Sequence, residues 1–251
     1  MQLFEGDCLE IMKQIPDTSV DMVLCDLPYG TTKNKWDSIL PLDKLWEQYK
    51  RICTGAVVLT AAQPFTSTLI MSNIDQFKYA WVWNKVNRNS GFLNAKKQPL
   101  RSTEDIPVFY SQQSIYNPQM ITGKVPYKVK AGLKFSSNYG NQDRSSVVSE
   151  SDGTQYPRNL IHIPADERGT VGRVHPTQKP VALMEYRIRT YTNEGAVVLD
   201  NCMGSGTTGV ACANTNRDFI GIEQDPKYFQ IAKSRIYEAL AEFSFFGEKI
   251  N

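Results

Sequence analysis

Val197-Val198-Leu199-Asp200-Asn201-Cys202-Met203-Gly204-Ser205-Gly206-Thr207-Thr208 reads as a buried strand, a turn carrying two glycines and the start of a helix that continues through Gly209, Val210, Ala211 and Cys212. Such a turn at a strand end cradles nucleotide-type ligands, because Gly204 and Gly206 let the backbone approach closely and the helix start offers its amides. Glu223 closes the next apolar run, where a carboxylate can accept from both hydroxyls of a ribose. With Gly209, the glycines also satisfy the Gly-x-Gly-x-x-Gly spacing of a dinucleotide site. Asp200 argues against that use: at the strand end it would repel a pyrophosphate, whereas it can pair with an ammonium group.

Working outward, short apolar runs rich in β-branched residues recur at Val20 to Cys25, Ala56 to Thr60, Tyr79 to Trp83, Ile106 to Tyr110, Ala196 to Asp200 and Phe219 to Glu223. Helical spacing separates several of them. Leu42, Leu45, Trp46, Tyr49 and Ile52 follow Pro41, and Phe229, Ile231, Ala232, Ile236 and Leu240 follow the cap-plus-proline start Asp225-Pro226. Trp46, Tyr49 and Ile52 are expected in the core. Alternating strands and helices predict an α/β fold with a doubly wound, mostly parallel sheet. The stretch from about 111 to 173 breaks the rhythm, being rich in Ser, Asn, Gly, Tyr and Lys without an amphipathic helix, and is predicted to be an insertion within a single domain spanning 1–251. From Ser111 to Lys134 the charged residues are Lys124, Lys128, Lys130 and Lys134, with no acid among them and Tyr116, Tyr127 and Phe135 nearby, which fits phosphate contacts on a nucleic acid.

The run Val20 to Cys25 ends in Asp26-Leu27-Pro28-Tyr29-Gly30. Alone, the tetrapeptide Asp26 to Tyr29 is more commonly an ordinary turn. Its chemistry nevertheless suits one difficult task. An exocyclic amino nitrogen of a nucleobase is a poor nucleophile because its lone pair is delocalised into the ring, and a catalyst must offer acceptors that favour a pyramidal, positively charged nitrogen. The Asp26 carboxylate supplies one acceptor. The Leu27 carbonyl supplies another, its direction restricted by Pro28. Tyr29 is then expected to be free to stack on a base extruded from a duplex.

The 251 residues suffice for one α/β core plus a modest insertion, and 41% hydrophobic with 22% charged residues is ordinary for a soluble globular chain. No apolar stretch approaches a membrane span, and the first residues lack the pattern of a secretory signal, so a cytoplasmic protein with no membrane partner is expected. The net charge of +2 is too small to identify a nucleic-acid binder. Five scattered cysteines without metal-ligand spacing read as reduced thiols, and no metal is expected.

Together the two motifs resemble those of the DNA amino-methyltransferases, D/N/S-P-P-Y/F for catalysis and D-P-F-x-G-S-G-T for the cofactor, matched by Asp26 to Tyr29 and Asp200 to Thr207. His175-Pro176-Thr177-Gln178-Lys179-Pro180 is similar to the family's H-P-T-x-K-P element. The order, catalytic motif, insertion, then cofactor motif, resembles the circularly permuted β group, and the likeness spans nearly the whole chain. It implies a Rossmann-like methyltransferase fold with a seven-stranded sheet and an inserted target-recognition region. It also implies S-adenosylmethionine as cofactor and DNA as substrate, methylated at N6 of adenine by direct transfer to a flipped base, as in restriction-modification systems.

By the same resemblance, Lys179 binds the cofactor carboxylate, Glu223 the ribose and Asp7, in Gly6-Asp7-Cys8, the adenine amino group. The expected cofactor pocket is completed by Cys8, Asp26, Asp200 and Cys202, with the turn Gly204, Ser205, Gly206 and Thr207. Leu27, Asn201 and Cys202 depart from the family pattern, in place of proline, proline and phenylalanine. His175 is read as structural. Asn94, Arg101 and Glu104 resemble a family segment near the active site, although Arg101 and Glu104 could equally form a surface pair. Trp36, in a polar loop after the catalytic turn, is a candidate to close over cofactor or base. The alternatives left open are cytosine N4, RNA or a protein amide as methyl acceptor, a dinucleotide-dependent oxidoreductase, and a binding module without turnover. A homodimer is compatible with all of these readings.

Overall fold

The computed structural model describes residues 1–30, 38–130, 134–136, 140–142, 148–166 and 178–247. Trp36, His175 and the side chains of Lys130 and Lys134 lie outside what is described. Eighteen elements follow in chain order: β1 (Gln2–Glu5), α1 (Cys8–Met12), β2 (Val20–Cys25), α2 (Leu42–Ile52), β3 (Cys53–Leu59), α3 (Phe65–Met71), β4 (Phe77–Asn84), β5 (Thr103–Phe109), β6 (Tyr127–Lys130), β7 (Lys134–Ser136), β8 (Gly140–Gln142), β9 (Val148–Ser151), β10 (Leu160–His162), α4 (Val181–Tyr191), β11 (Val197–Asp200), α5 (Thr207–Asn214), β12 (Asp218–Glu223) and α6 (Pro226–Gly247).

The large sheet has the order β1-β12-β11-β2-β3-β5-β4-β10. Strand β5 pairs antiparallel with β3 and β4, and every other pairing is parallel. All six expected strands are present, but the sheet has eight strands rather than seven. β10, with Leu160 paired to Val82 and His162 to Asn84, adds a parallel edge. Its three residues bury only Ile161, too little apolar pattern to register as a strand in sequence.

Strand residues alternate between two cores because successive side chains point to opposite faces. Met22, Leu24 and Val198 pack with Leu183, Ile188, Ala211 and Ile236 of α4, α5 and α6. Val23, Cys25, Leu199 and Ile222 pack with Met12, Leu45, Trp46, Ile52 and Leu69 of α1, α2 and α3. The central strands are therefore apolar throughout, as parallel strands covered on both faces must be. In α2, Leu45, Trp46, Tyr49 and Ile52 are the buried face, as their spacing predicts.

From β2 the chain moves outward to β3, and from β11 it moves the other way to β12, so the carboxyl ends of β2 and β11 meet where the winding reverses. Ligands of open α/β sheets bind in the crevice at such a point. Asp26 directly follows β2 and Asp200 ends β11. The two motifs, 174 positions apart in the chain, are thus delivered to adjacent strand ends.

Pro118–Arg158 forms a separate compact unit, within the stretch expected to be inserted. It contains two antiparallel pairs, β6 with β9 and β7 with β8, and no helix among its described residues. The segment after it, from Asn159, belongs to the larger unit, where β10 joins the sheet.

Candidate active site

Asp26 is partly exposed at the end of β2, and its carboxylate is held from several sides. Tyr29 Oη lies 2.8 Å from Oδ1 and 3.0 Å from Thr60 Oγ1, and Thr60 donates a short hydrogen bond to the same Oδ1. Lys179 Nζ donates to Oδ2 at 2.7 Å. A carboxylate has about four acceptor positions. Among the described residues, Tyr29, Thr60 and Lys179 occupy up to three of these, which leaves one for an incoming N–H. Thr60 was not foreseen as a site residue. It follows β3, and the pairing of Cys25 with Leu59 sets it beside Asp26, a consequence of parallel register that the local motif does not reveal.

Tyr29, expected to be free to stack, already has one ring partner within the chain. Its ring stacks on Phe65 with centroids 5.5 Å apart and planes 21° from parallel, and Lys179 Nζ stands 5.5 Å from its centroid. Burial, reinforced by the negative charges of Asp26 and Glu104, pushes its phenol well above the usual range, so the hydroxyl remains a donor to the carboxylate.

Lys179 is buried and also lies 3.4 Å from Glu104 Oε2, while Lys85 Nζ pairs with Glu104 Oε1 at 2.6 Å. Lys85, Glu104, Lys179 and Asp26 thus alternate in sign along one chain of contacts. Burial opposes the charge on Lys179, but the carboxylates of Asp26 and Glu104 outweigh it and raise its pKa. Burial likewise opposes the charge on Glu104, and Lys179 and Lys85 outweigh it, drawing its pKa below the ordinary carboxylate value. Arg101 is not Glu104's partner; it donates to the Gln63 carbonyl at 3.1 Å.

At the other strand end, Asp200 is nearly fully buried and bonded to its own turn. Its Oδ1 accepts from Cys202 N at 3.1 Å and its Oδ2 from Thr208 Oγ1 at 2.6 Å. Burial raises its pKa to about 6. Its carboxylate therefore shapes the turn, a role beyond the ammonium pairing expected of it. Glu223 does similar work, accepting from Gly204 N at 2.8 Å and Asp225 N at 2.8 Å. Asn201, equally buried, meets Tyr49 Oη of α2 at 2.5 Å, so a core helix also fixes the turn.

Gly206 has a φ of +79°, and a Cβ there would come within 2.9 Å of Ala232 on α6. Gly204 differs: at φ +51° it too is left-handed, yet a Cβ would meet no protein atom within 4 Å. The turn thus packs through Gly206 and presents an open backbone at Gly204, where a ligand can lie against the amides. Ser205 Oγ donates to Gln178 Oε1 at 3.2 Å, linking the turn to the segment carrying Lys179. Thr207 opens α5, capped by Gly206. Asp7 caps α1 through Oδ1, accepting from Leu9 N at 2.8 Å and Glu10 N at 3.3 Å. Gly6 N bonds to the Glu223 carbonyl, which brings Asp7 alongside the end of β12.

The cysteines are less scattered in space than in sequence. Cys202, in this turn, interacts with both Cys8 and Cys25, and hydrogen bonding to Cys202 together with burial raises Cys8 far above an ordinary thiol, while burial first of all takes Cys25 to about 12. They are protonated thiols at neutral pH, unsuited to nucleophilic attack. In the inserted unit Lys128 pairs with Glu150 at 2.8 Å across β6 and β9, an acid that lies outside the acid-free stretch around it. Lys124 is exposed. No group of three or more possible metal ligands occurs among the described residues, and no helix there is long and apolar enough to cross a membrane.

The family described as DNA methylase matches residues 20–234. Among curated relatives, the type II methyltransferase M2.MboI of Moraxella bovis is 24% identical, with 94% of this chain and 87% of the relative covered. The type II methyltransferase M.HinfI of Haemophilus influenzae is 29% identical, with 94% and 68% covered. Among solved structures, the complex of M1.HpyAVI with S-adenosylmethionine superposes with a TM-score of 0.62 at 27% identity, covering 93% of this chain and 98% of the other. The PvuII cytosine-N4-specific DNA methyltransferase, at 17% identity and a TM-score of 0.66 over 96% and 91% of the two chains, shares the fold. With a family match running from β2 into α6 and an acceptor site beside a cofactor-type turn, the chain belongs to the DNA methylases of the N6-adenine and N4-cytosine class, enzymes that use S-adenosylmethionine to methylate DNA.

Proposed function

We propose that this enzyme methylates N6 of adenine, with the Asp26 carboxylate and the Leu27 carbonyl as the two acceptors for the amino group. The observation that carries the reading is the carboxylate itself: Asp26 is fixed by Tyr29, Thr60 and Lys179 and keeps an acceptor position for one more N–H. The aspartate form of the catalytic motif resembles that of the adenine-modifying members of the family. Leu27 is buried and precedes Pro28, which restricts the direction of its carbonyl.

The cofactor residues are those that the family resemblance implies, and the geometry of the turn supports them. The open backbone at Gly204 and the carboxylates near it suit a ligand carrying a ribose and a positive charge. Glu223 accepts from the ribose hydroxyls with the lone pairs not used by Gly204 and Asp225. Asp7 accepts from the adenine amino group of the cofactor, and Cys8 and Cys202 line the pocket. Lys179 has three N–H donors, of which Asp26 takes one while Glu104 faces the ammonium at ion-pair distance, leaving a donor for the cofactor carboxylate. S-adenosylmethionine, when bound, supplies an electrophilic methyl group. Asp26 and Leu27 align the amino lone pair for in-line attack and stabilise the positive charge that develops on nitrogen, and Asp26 is the nearest carboxylate to accept the proton released from it.

Tyr29, braced by Phe65, offers an aromatic surface to the extruded base. Pro118–Arg158 serves as the target-recognition unit, with Lys124, Lys128, Lys130 and Lys134 contributing phosphate contacts. The test is to incubate the protein with unmethylated genomic DNA and S-adenosylmethionine, then digest and identify the modified nucleoside. N6-methyladenine supports the reading, and N4-methylcytosine in its place overturns it.

A further inference from the structure

The connection from β4 to β5 carries features that neither the acceptor site nor the cofactor turn uses. Between Asp75 and Glu104 the sequence contains no acidic residue but holds Lys78, Lys85, Arg88, Lys96, Lys97 and Arg101. Lys85 is committed to Glu104. Lys96, Lys97 and Arg101 are exposed, and none forms an ion pair among the described residues. At the tip, Phe92 is 74% exposed and Leu93 is 85% exposed, two adjacent large apolar side chains in water.

The loop is ordered by its own backbone. Ser90 and Arg101 close its base with paired hydrogen bonds of 2.8 and 2.9 Å, and within it Asn94 N bonds to Gly91 O while Lys97 N and Gln98 N bond to Asn94 O. A 3-10 turn at Phe92–Asn94 follows Gly91, which is left-handed at φ +87°. Its root adjoins the acceptor site. Arg101 bonds to Gln63, next to Pro64 and the Phe65 that braces Tyr29, and Glu104, three residues beyond Arg101, contacts Lys179.

We infer that this loop is a DNA-binding surface in its own right, on which Phe92 and Leu93 press against base faces exposed when the target nucleotide leaves the stack and Lys96, Lys97 and Arg101 take the flanking phosphates. Charge selects the partner: an unrelieved set of cations complements a polyanion. Position selects the contact, since apolar side chains inserted at an unstacked step can occupy the gap beside an extruded base. The inference rests on the reading of the chain as a DNA methyltransferase and adds a surface outside the inserted unit.

Two double variants test it, on an oligonucleotide duplex carrying the context read from methylated genomic DNA, with the target base either paired or mismatched. Because both tip side chains are exposed, Phe92→Ser with Leu93→Ser leaves thermal unfolding and S-adenosylmethionine binding unchanged. It slows single-turnover methylation of the paired duplex roughly tenfold or more and recovers most of that loss on the mismatch. Phe92→Tyr alone retains the rate. Lys96→Glu with Lys97→Glu weakens duplex binding and lowers the slope of log affinity against log salt by about two. Equal rates for the tip variant and wild type on both substrates would overturn the inference, as would a changed oligomeric state with unchanged duplex affinity, which would make the loop a contact between copies. Failure of the wild-type enzyme to methylate any DNA would instead overturn the functional reading.

Discussion

Lys179 Nζ lies 2.7 Å from Asp26 Oδ2, joining a buried ammonium from the segment before α4 to the carboxylate that follows β2, 153 positions away. The ammonium is in turn 3.4 Å from Glu104, so the catalytic carboxylate is one end of an alternating set of charges. Such a set holds Asp26 in one orientation without removing its last acceptor position.

Glu104→Gln is expected to slow methyl transfer about tenfold and to destabilise the fold by about 3 kcal/mol, because Lys85 and Lys179 lose the carboxylate between them. The folded-state pKa of Glu104 is depressed, so its contribution is complete above the unfolded value of 4.5 and disappears as pH falls through the lower folded value. Urea unfolding of wild type and variant across that range reads the difference, which should shrink on acidification.

Tyr29→Phe removes a hydroxyl 2.8 Å from Asp26 while keeping the ring on Phe65. A hydrogen bond to a charged group contributes about 1.5 to 3 kcal/mol, so the expected single-turnover loss is tenfold or somewhat more. Cofactor affinity should not change. A rate equal to wild type would mean that Thr60 and Lys179 alone suffice to orient Asp26.

Asp200→Asn tests the turn through pH. The folded-state pKa of about 6 stands above the ordinary 3.8, so the native state binds the extra proton and ionisation of Asp200 opposes folding. Relative to the Asn variant, wild type should lose about 3 kcal/mol as pH rises from roughly 4 to 6, the product of that shift and 1.36 kcal/mol per unit. Chemical denaturation at intervals across the window measures it; a pH-independent difference would remove Asp200 as the titrating group.

Glu223→Ala is expected to weaken S-adenosylmethionine binding by about 1.5 to 3 kcal/mol, through loss of the ribose acceptor and release of the Gly204 amide. Titration calorimetry gives the dissociation constant directly. An unchanged value would locate the ribose elsewhere.

How much of this was legible in sequence depended on the range of the interactions. Asp26 to Tyr29 and Asp200 to Thr207 are contiguous segments whose chemistry is local, and the apolar runs that carry them are long enough to read as strands. β10 was missed because three residues with one buried side chain have no period. Thr60 and Glu104 acquire their roles only through strand register and through contacts that cross the sheet, and Phe65 only by stacking on a residue far from it in sequence. Lys128 has a partner that the local sequence does not show. Its neighbourhood lacks acids along the chain, but antiparallel pairing of β6 with β9 sets Glu150 directly opposite. Asp200 is expected at a strand end because acids there often face ligands; its hold on Cys202 and Thr208 depends on burial that the local motif does not reveal.

The central claim is that Asp26 acts on the amino nitrogen of the base. It is tested most directly by single-turnover methyl transfer from labelled S-adenosylmethionine to DNA by Asp26→Ala, with cofactor affinity measured on the same preparation. Loss of the acceptor that stabilises charge in the transition state should cost at least about a hundredfold in rate. Cofactor binding should be retained, because Gly204 and Glu223 are untouched. A near wild-type rate from a variant that binds cofactor normally would contradict the account.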